Sequence, residues 1–169
     1  MTADADDPDD RVAAIQAQWR RERPDLDVSP LGIVGRLHRL ADRLRDELIA
    51  VYGEYGLGEG EFDVLATLRR AGAPFELAPS ELARHTMVTT GAMTKRIDRL
   101  EASGLVTRHH SQTDGRARAV RLTDEGRRRI DDAFTAHIGN EHRLVGDLSP
   151  ADRRTLEDVL TRWLARYDD

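Results

Sequence analysis

The 169-residue chain contains no cysteine. That excludes disulfides, thiolate metal sites and thiol redox sensing, and nothing favours an oxidising compartment. Aromatic residues make up only 5%, so a core must be built mainly from Leu, Val, Ile and Ala. No apolar run approaches the roughly 20 residues of a membrane span. Met1 to Asp10 is acidic and lacks the apolar stretch of a secretory signal. A cytoplasmic protein with no membrane partner is the expectation. Also missing are a glycine-rich phosphate loop, a nucleophile elbow and clustered carboxylates, so no catalytic residues are assigned and an enzyme is not expected. The histidines are scattered. His109 and His110 are adjacent on a predicted strand and point to opposite faces. His137 and His142 are five apart, a poor spacing for one helical face. No metal site is expected.

Charge is present but unevenly placed. The net charge is −5. From Ser80 to Leu122, however, eight basic residues (Arg84, Lys95, Arg96, Arg99, Arg108, Arg116, Arg118, Arg121) face four acidic ones (Glu81, Asp98, Glu101, Asp114). A basic module therefore sits inside an acidic body. Such a module attracts phosphates locally, while the acidic remainder opposes non-specific sliding along DNA.

The pattern along the chain reads as mainly helical. Residues 1–10 form an acidic tail, expected to be flexible. Val12, Ile15 and Trp19 mark one face of a short helix, with Trp19 as its expected anchor. Pro30 opens a long helix in which Leu37, Leu40, Leu44, Leu48 and Val51 recur at three- and four-residue spacing. Gly56 to Gly60 breaks it. Glu61 to Arg70 is a helix with Phe62, Leu65 and Leu68 inward. Pro79 to Ala83 opens a helix of two turns, and another runs from Thr90 to Ser103, with Gly104 as its left-handed cap. Leu105–Ser111 and Ala117–Thr123, joined by Asp114-Gly115, predict a β-hairpin. Thr123 caps a long helix, and Ser149-Pro150-Ala151-Asp152 opens the last one. The predicted architecture is mainly α: a winged helix-turn-helix of three helices and a hairpin wing over 61–123. Long helices frame it at 11–55 and 124–169, including an additional N-terminal helix. The frame carries more apolar surface than so small a centre can cover, and a second copy related by a two-fold axis would bury it.

On the 90–103 helix, Met93, Ile97 and Leu100 share one face and must be the core side. Gly91, Lys95, Asp98 and Ala102 lie opposite, flanked by Thr94 and Arg99. Small residues and hydroxyls crowd its start, so its N-terminus can approach a groove and its N–H groups can meet phosphate. Thr94 can bond a base edge, and Lys95 or Arg99 can reach guanine or phosphate. Arg116, on the hairpin turn beside Asp114, can enter a narrow minor groove. The plainer reading of that tip, a solvated hairpin with routine charges, stays open. The DNA-binding candidates are Ser80, Thr89, Thr90, Thr94, Lys95, Arg99 and Arg116, with double-stranded DNA as the partner.

Five segments together resemble the MarR family of bacterial regulators. They are Ser80-Glu81-Leu82-Ala83, Thr94-Lys95-Arg96-Ile97-Asp98-Arg99-Leu100-Glu101, Gly104-Leu105-Val106, Asp114-Gly115-Arg116 and Leu122-Thr123-Asp124-Glu125-Gly126. The resemblance implies a homodimer joined by its terminal helices. It places recognition helices in successive major grooves of a pseudo-palindrome and wings in the flanking minor grooves. Ala78 departs from the pattern, since many members have Ser or Thr there to cap the short helix.

The added helix with Trp19 resembles the branch of that family that senses urate and related purines, and its relatives that sense citrate and trans-aconitate. The resemblance implies a ligand-binding set of Trp19, Asp63, Arg96 and Arg108. No cofactor is implied. The effector is a small organic anion: urate, xanthine, citrate or trans-aconitate. The helical pattern adds that Arg96 lies roughly 60° from the centre of the core face, at its border, where a cation must be paired or meet an anion. The expectation is a repressor that a small anionic metabolite releases when the ligand disturbs an Asp63–Arg96 pair. Two alternatives stand beside it: a constitutive DNA-binding protein in which these four residues are structural, and a winged-helix module for protein interaction.

Overall fold

Asp10 starts the first helix by accepting hydrogen bonds from the backbone N–H groups of Val12 (3.0 Å) and Ala13 (3.2 Å), which otherwise have no intrahelical acceptor. The computed structural model describes residues 10–86, 89–110 and 118–167. The expected acidic tail lies almost wholly outside them. The chain divides into two compact units, Met1–Glu47 and Leu48–Asp169.

The first unit holds α1 (Arg11–Glu22) and most of α2 (Leu31–Glu54). Val12 and Gln16, four residues apart, are the buried face of α1. Val12 lies against Gly35, where an added Cβ would stand 3.2 Å from its Cγ1. The Gln16 amide donates to the carbonyls of Val28 (3.1 Å) and Ser29 (3.3 Å). This corrects the expectation for Trp19. It is 48% exposed and does not anchor α1; a buried glutamine whose amide N–H groups are bonded takes that place, and an apolar pattern cannot flag a glutamine.

In the second unit the helices and strands follow in the order α3 (Glu59–Arg70), β1 (Glu76–Leu77), α4 (Pro79–His85), α5 (Thr90–Ala102), β2 (Val106–His110), β3 (Arg118–Leu122), α6 (Asp124–Leu144) and α7 (Pro150–Leu164). This is the predicted winged helix-turn-helix, followed in the same unit by two further helices. Val64, Leu65, Leu68, Leu82, Met93, Ile97, Leu100, Val106, Val120 and Ile130 are at most 1% exposed and form one core with Tyr52 and Phe62. Each such side chain contributes about 1.5–3 kcal/mol by leaving water.

The sheet is antiparallel with strand order β1-β3-β2. Val106 pairs with Leu122 and His109 with Ala119, which fixes the hairpin register. Strand β1 was not foreseen. Two residues cannot show an alternation; β1 exists because Leu77 pairs with Val120 and Leu122 N–H donates to the Phe75 carbonyl at 3.1 Å.

The helix ends explain how the recognition elements are held. Gly104 has φ +73°, a conformation that costs glycine little. The Thr123 hydroxyl accepts from Gly126 N–H (2.9 Å) and donates to the Gly104 carbonyl (2.8 Å), so one side chain ties the start of α6 to the end of α5. At α4 Ala78 provides no capping hydroxyl; Pro79 takes the first position, where no N–H needs an acceptor, and Glu81 accepts the Ala78 N–H at 2.9 Å. No residue of α7 is buried, and its Leu156, Val159, Leu160 and Leu164 are exposed. Among the described residues no helix is long and apolar enough to cross a membrane.

Candidate nucleic-acid interface and its ties

Thr89 caps α5, its hydroxyl accepting from Ala92 N–H at 3.3 Å. Thr90 is the first residue of the helix. Among the described residues a Cβ on Gly91 would meet nothing within 4 Å, which leaves room there for a close approach from outside. Thr94, Lys95 and Arg99 are exposed along α5, and Ser80 is exposed in the first turn of α4. The structure therefore gathers Thr89, Thr94, Lys95 and Arg99 on the solvent side of one helix whose other side is core. Arg116 and the Asp114-Gly115 turn lie outside the described residues.

Behind this surface, arginines tie α5 to its neighbours. The Arg96 guanidinium lies over Gly60 of α3. A Cβ at position 60 would overlap its Nε and stand 2.5 Å from its Cζ. Arg96 Nη1 is 4.0 Å from Asp63 Oδ2 and is buried without a hydrogen-bond partner among the described residues. Burial pushes the Asp63 carboxyl above its ordinary range, and the Arg96 charge works against that rise. The expected Asp63–Arg96 pairing thus exists as a long contact in a partly dry place.

Beside Asp63 stands Tyr52, whose ring stacks on Phe62 at 4.0 Å between centroids. Its hydroxyl is 3.4 Å from His137 Nδ1. Burial pushes the Tyr52 phenol up to about 12, helped by the nearby acids Asp63, Glu141 and Glu59.

Arg108, on the first wing strand, is doubly held from α5. Its Nη1 donates to Glu101 Oε2 and its Nη2 to Asp98 Oδ1, both at 2.5 Å. Its backbone N–H also donates to Glu101 Oε1 at 3.1 Å. Burial pulls the Arg108 pKa down, and the bonds to Asp98 and Glu101 outweigh that and raise it. A cleft of about 220 Å³ opens beside Arg108, lined by Pro79, Thr94, Ile97, Asp98, Arg108 and Arg118.

At the base of the wing, Glu76 of β1 accepts from Arg121 Nε (2.6 Å) and contacts His109 Nε2 (3.0 Å). Burial opposes ionisation of Glu76, but Arg121 and His109 together hold its carboxyl below the usual range.

Of the expected ligand set, Asp63 and Arg96 come together, and Arg108 binds the same helix that carries Arg96. Trp19 belongs to the first unit, half-exposed on α1. Sequence reasoning missed Gly60, Glu61, Asp98 and Glu101. The spacing of Asp98 and Glu101, three apart on one helix, was a usable signal; the closeness of Gly60 to Arg96 leaves no local trace. Among the described residues no group of His, Asp and Glu is arranged to hold a metal ion.

The chain is similar in sequence and fold to known regulators. The family described as MarR family matches residues 55–117. The HTH-type transcriptional regulator PecS of Dickeya dadantii is 38% identical over 151 residues, covering 89% of this chain and 91% of the relative. The HTH-type transcriptional repressor Rv2887 of Mycobacterium tuberculosis is 32% identical over 136 residues, covering 80% and 94%. Among solved structures, a mutant of MarR from E. coli complexed with operator DNA superposes with a TM-score of 0.69 at 26% identity, covering 81% of this chain and 95% of that one. These proteins are regulators, not enzymes. With its winged helix, its exposed α5 surface and these relatives, the chain belongs to the MarR family of DNA-binding transcriptional regulators.

Proposed function

We propose that this regulator is a repressor that binds a pseudo-palindromic operator as a homodimer and is released by a small organic anion. One observation carries the release: both arginines expected to meet the anion are already tied to carboxylates, and both ties run to α5. Arg96, on α5, faces Asp63 on α3. Arg108, on the wing, grips Asp98 and Glu101 on α5. An anion that takes either guanidinium replaces a protein carboxylate and loosens the seat of the recognition helix. It shifts the equilibrium only by its preference for the loosened form.

Ser80, Thr89, Thr90, Thr94, Lys95 and Arg99 supply the DNA contacts in this reading, with Arg116 from the wing. The exposed Leu156, Val159, Leu160 and Leu164 of α7 support a second copy as the partner. The part of Trp19 rests on the resemblance to the urate- and citrate-sensing branch.

The test is a gel shift of the chain on a duplex from its own upstream promoter, with and without millimolar urate, xanthine, citrate and trans-aconitate. The expected result is a specific complex released by one of these anions, and the releasing anion separates purine from tricarboxylate. A specific complex that survives all four overturns this set of ligands. Absence of any complex at low salt overturns the operator reading. Trp19→Ala in the same titration tests its inclusion.

A further inference from the structure

We infer that Glu61 is a positioning residue for Arg99, holding that guanidinium by one edge so that its fork faces DNA. Glu61 stands in the first turn of α3, and its side chain is only 16% exposed. Its two oxygens have separate tasks. Oε2 accepts from Gly58 N–H at 2.8 Å, closing the start of the helix. Oε1 accepts from Arg99 Nε at 2.5 Å. The first bond fixes the carboxylate, so the second presents Arg99 with a rigid acceptor.

The Arg99 side chain is 64% exposed, and Glu61 engages it at Nε. The terminal amino groups have no hydrogen-bond partner among the described residues. An arginine held at Nε still offers its two terminal nitrogens as a planar fork, the geometry that matches a phosphate or the O6 and N7 of guanine. Holding the side chain in advance lowers the rotamer entropy lost on binding, an effect of about two- to tenfold in affinity.

The inference rests on the reading that Arg99 touches operator DNA, and it makes a prediction opposite in sign to simple electrostatics. Glu61 is a negative charge close to a DNA-facing arginine. Removing it strengthens binding if charge alone matters and weakens binding if Glu61 positions Arg99.

Glu61→Gln is the informative variant, because glutamine can still accept the Gly58 N–H and keep the helix start. The experiment measures fluorescence anisotropy of the upstream promoter duplex over a range of KCl with full-length wild type, R99A, E61Q and the double variant, with a thermal melt of each. R99A is expected to weaken binding and to reduce the salt slope by about one. E61Q is expected to weaken binding about two- to tenfold with its melting temperature retained, and to have no effect in the R99A background. An E61Q protein that binds as tightly as wild type or tighter overturns the role of Glu61. An E61Q loss that persists in full without Arg99 does the same. If R99A itself binds like wild type, the failure lies earlier, in the assignment of Arg99 to DNA.

Discussion

Asp63 stops 4.0 Å short of Arg96, and the Arg96 Nη1 that faces it is buried without a hydrogen-bond partner among the described residues. A buried guanidinium nitrogen with a distant carboxylate is only partly compensated. An anion that enters there gains a donor that the protein has not fully satisfied. This makes Asp63→Asn and Arg96→Gln the first variants to test. Each should keep operator binding within about threefold while ligand-induced release falls at least about tenfold, which corresponds to roughly 1.4 kcal/mol of coupling. Gel shifts with increasing urate or trans-aconitate measure both quantities. Unchanged release in both variants would sink the Asp63–Arg96 switch.

Asp63 also predicts a sign for stability. Its carboxyl lies above the ordinary range because of burial. The folded state therefore holds this proton more tightly than the unfolded chain. The stability that follows is present at low pH and is lost as pH rises through the raised pKa. At neutral pH the ionised carboxylate is a liability offset in part by Arg96, so Asp63→Asn should melt no lower than wild type at pH 7. A clear loss of melting temperature there would show that the ion pair stabilises the fold more than burial of the charge opposes it.

Gly60 is where Arg96 can be moved without touching its charge. A methyl group at position 60 overlaps the Arg96 Nε. The obstructing atoms belong to a long side chain that can swing away, so Gly60→Ala should fold and melt within a few degrees of wild type, a shift of about 1 kcal/mol or less. Arg96 would then leave its seat beside Asp63. The expected phenotype matches that of Arg96→Gln: operator binding kept, release impaired. Wild-type release in a folded Gly60→Ala protein would show that this seat plays no part in sensing.

Much of this architecture was legible in the sequence, because local physics fixes it. The three- and four-residue spacing of Met93, Ile97 and Leu100 named the buried face of α5 correctly. The turn at Gly104 and the caps at Thr123 and Ser149 were visible from residue type alone. What escaped is tertiary. Strand β1 is too short to carry a pattern and forms by pairing with β3. Gln16 replaced Trp19 as the buried contact of α1 because carbonyls 12 and 13 residues away satisfy its amide. Gly60 read as the end of a helix break and Glu61 as an ordinary helix start, whereas both lie in the first turn of α3. Their relation to Arg96 and Arg99 depends on how α3 meets α5.

Glu76 gives the wing a pH dependence of opposite sign to that of Asp63. Arg121 and His109 hold its carboxyl below the usual range against the effect of burial. Its stabilising effect is therefore present above the ordinary glutamate pKa of about 4.3 and is lost as pH falls through the lower folded value. Glu76→Gln should lower stability at pH 7 by about 1 kcal/mol. The gap between variant and wild type should close below about pH 4. Urea unfolding at several pH values reads this directly, and a gap that stays constant down to the lowest pH would show that the carboxylate charge is irrelevant.

Among the described glycines of the second unit, Gly126 sets the tightest steric condition. It occupies the first turn of α6, under the Thr123 cap, and a Cβ there would overlap the carbonyl oxygen of Leu105. Unlike the obstruction at Gly60, this one is backbone. The Leu105 carbonyl also accepts the Thr123 N–H at 3.1 Å, so it cannot retreat without breaking the junction between α5, the wing and α6. Gly126→Ala replaces a poor helix former by the best one, a gain of up to about 1 kcal/mol if space allowed. The overlap reverses the sign, and a net loss of about 2–4 kcal/mol is expected. Urea titration followed by circular dichroism should show the midpoint falling with the slope unchanged. A midpoint equal to or above wild type would mean that α6 can shift away from Leu105, and with it that the wing and the recognition helix are less firmly joined to the frame than this contact implies.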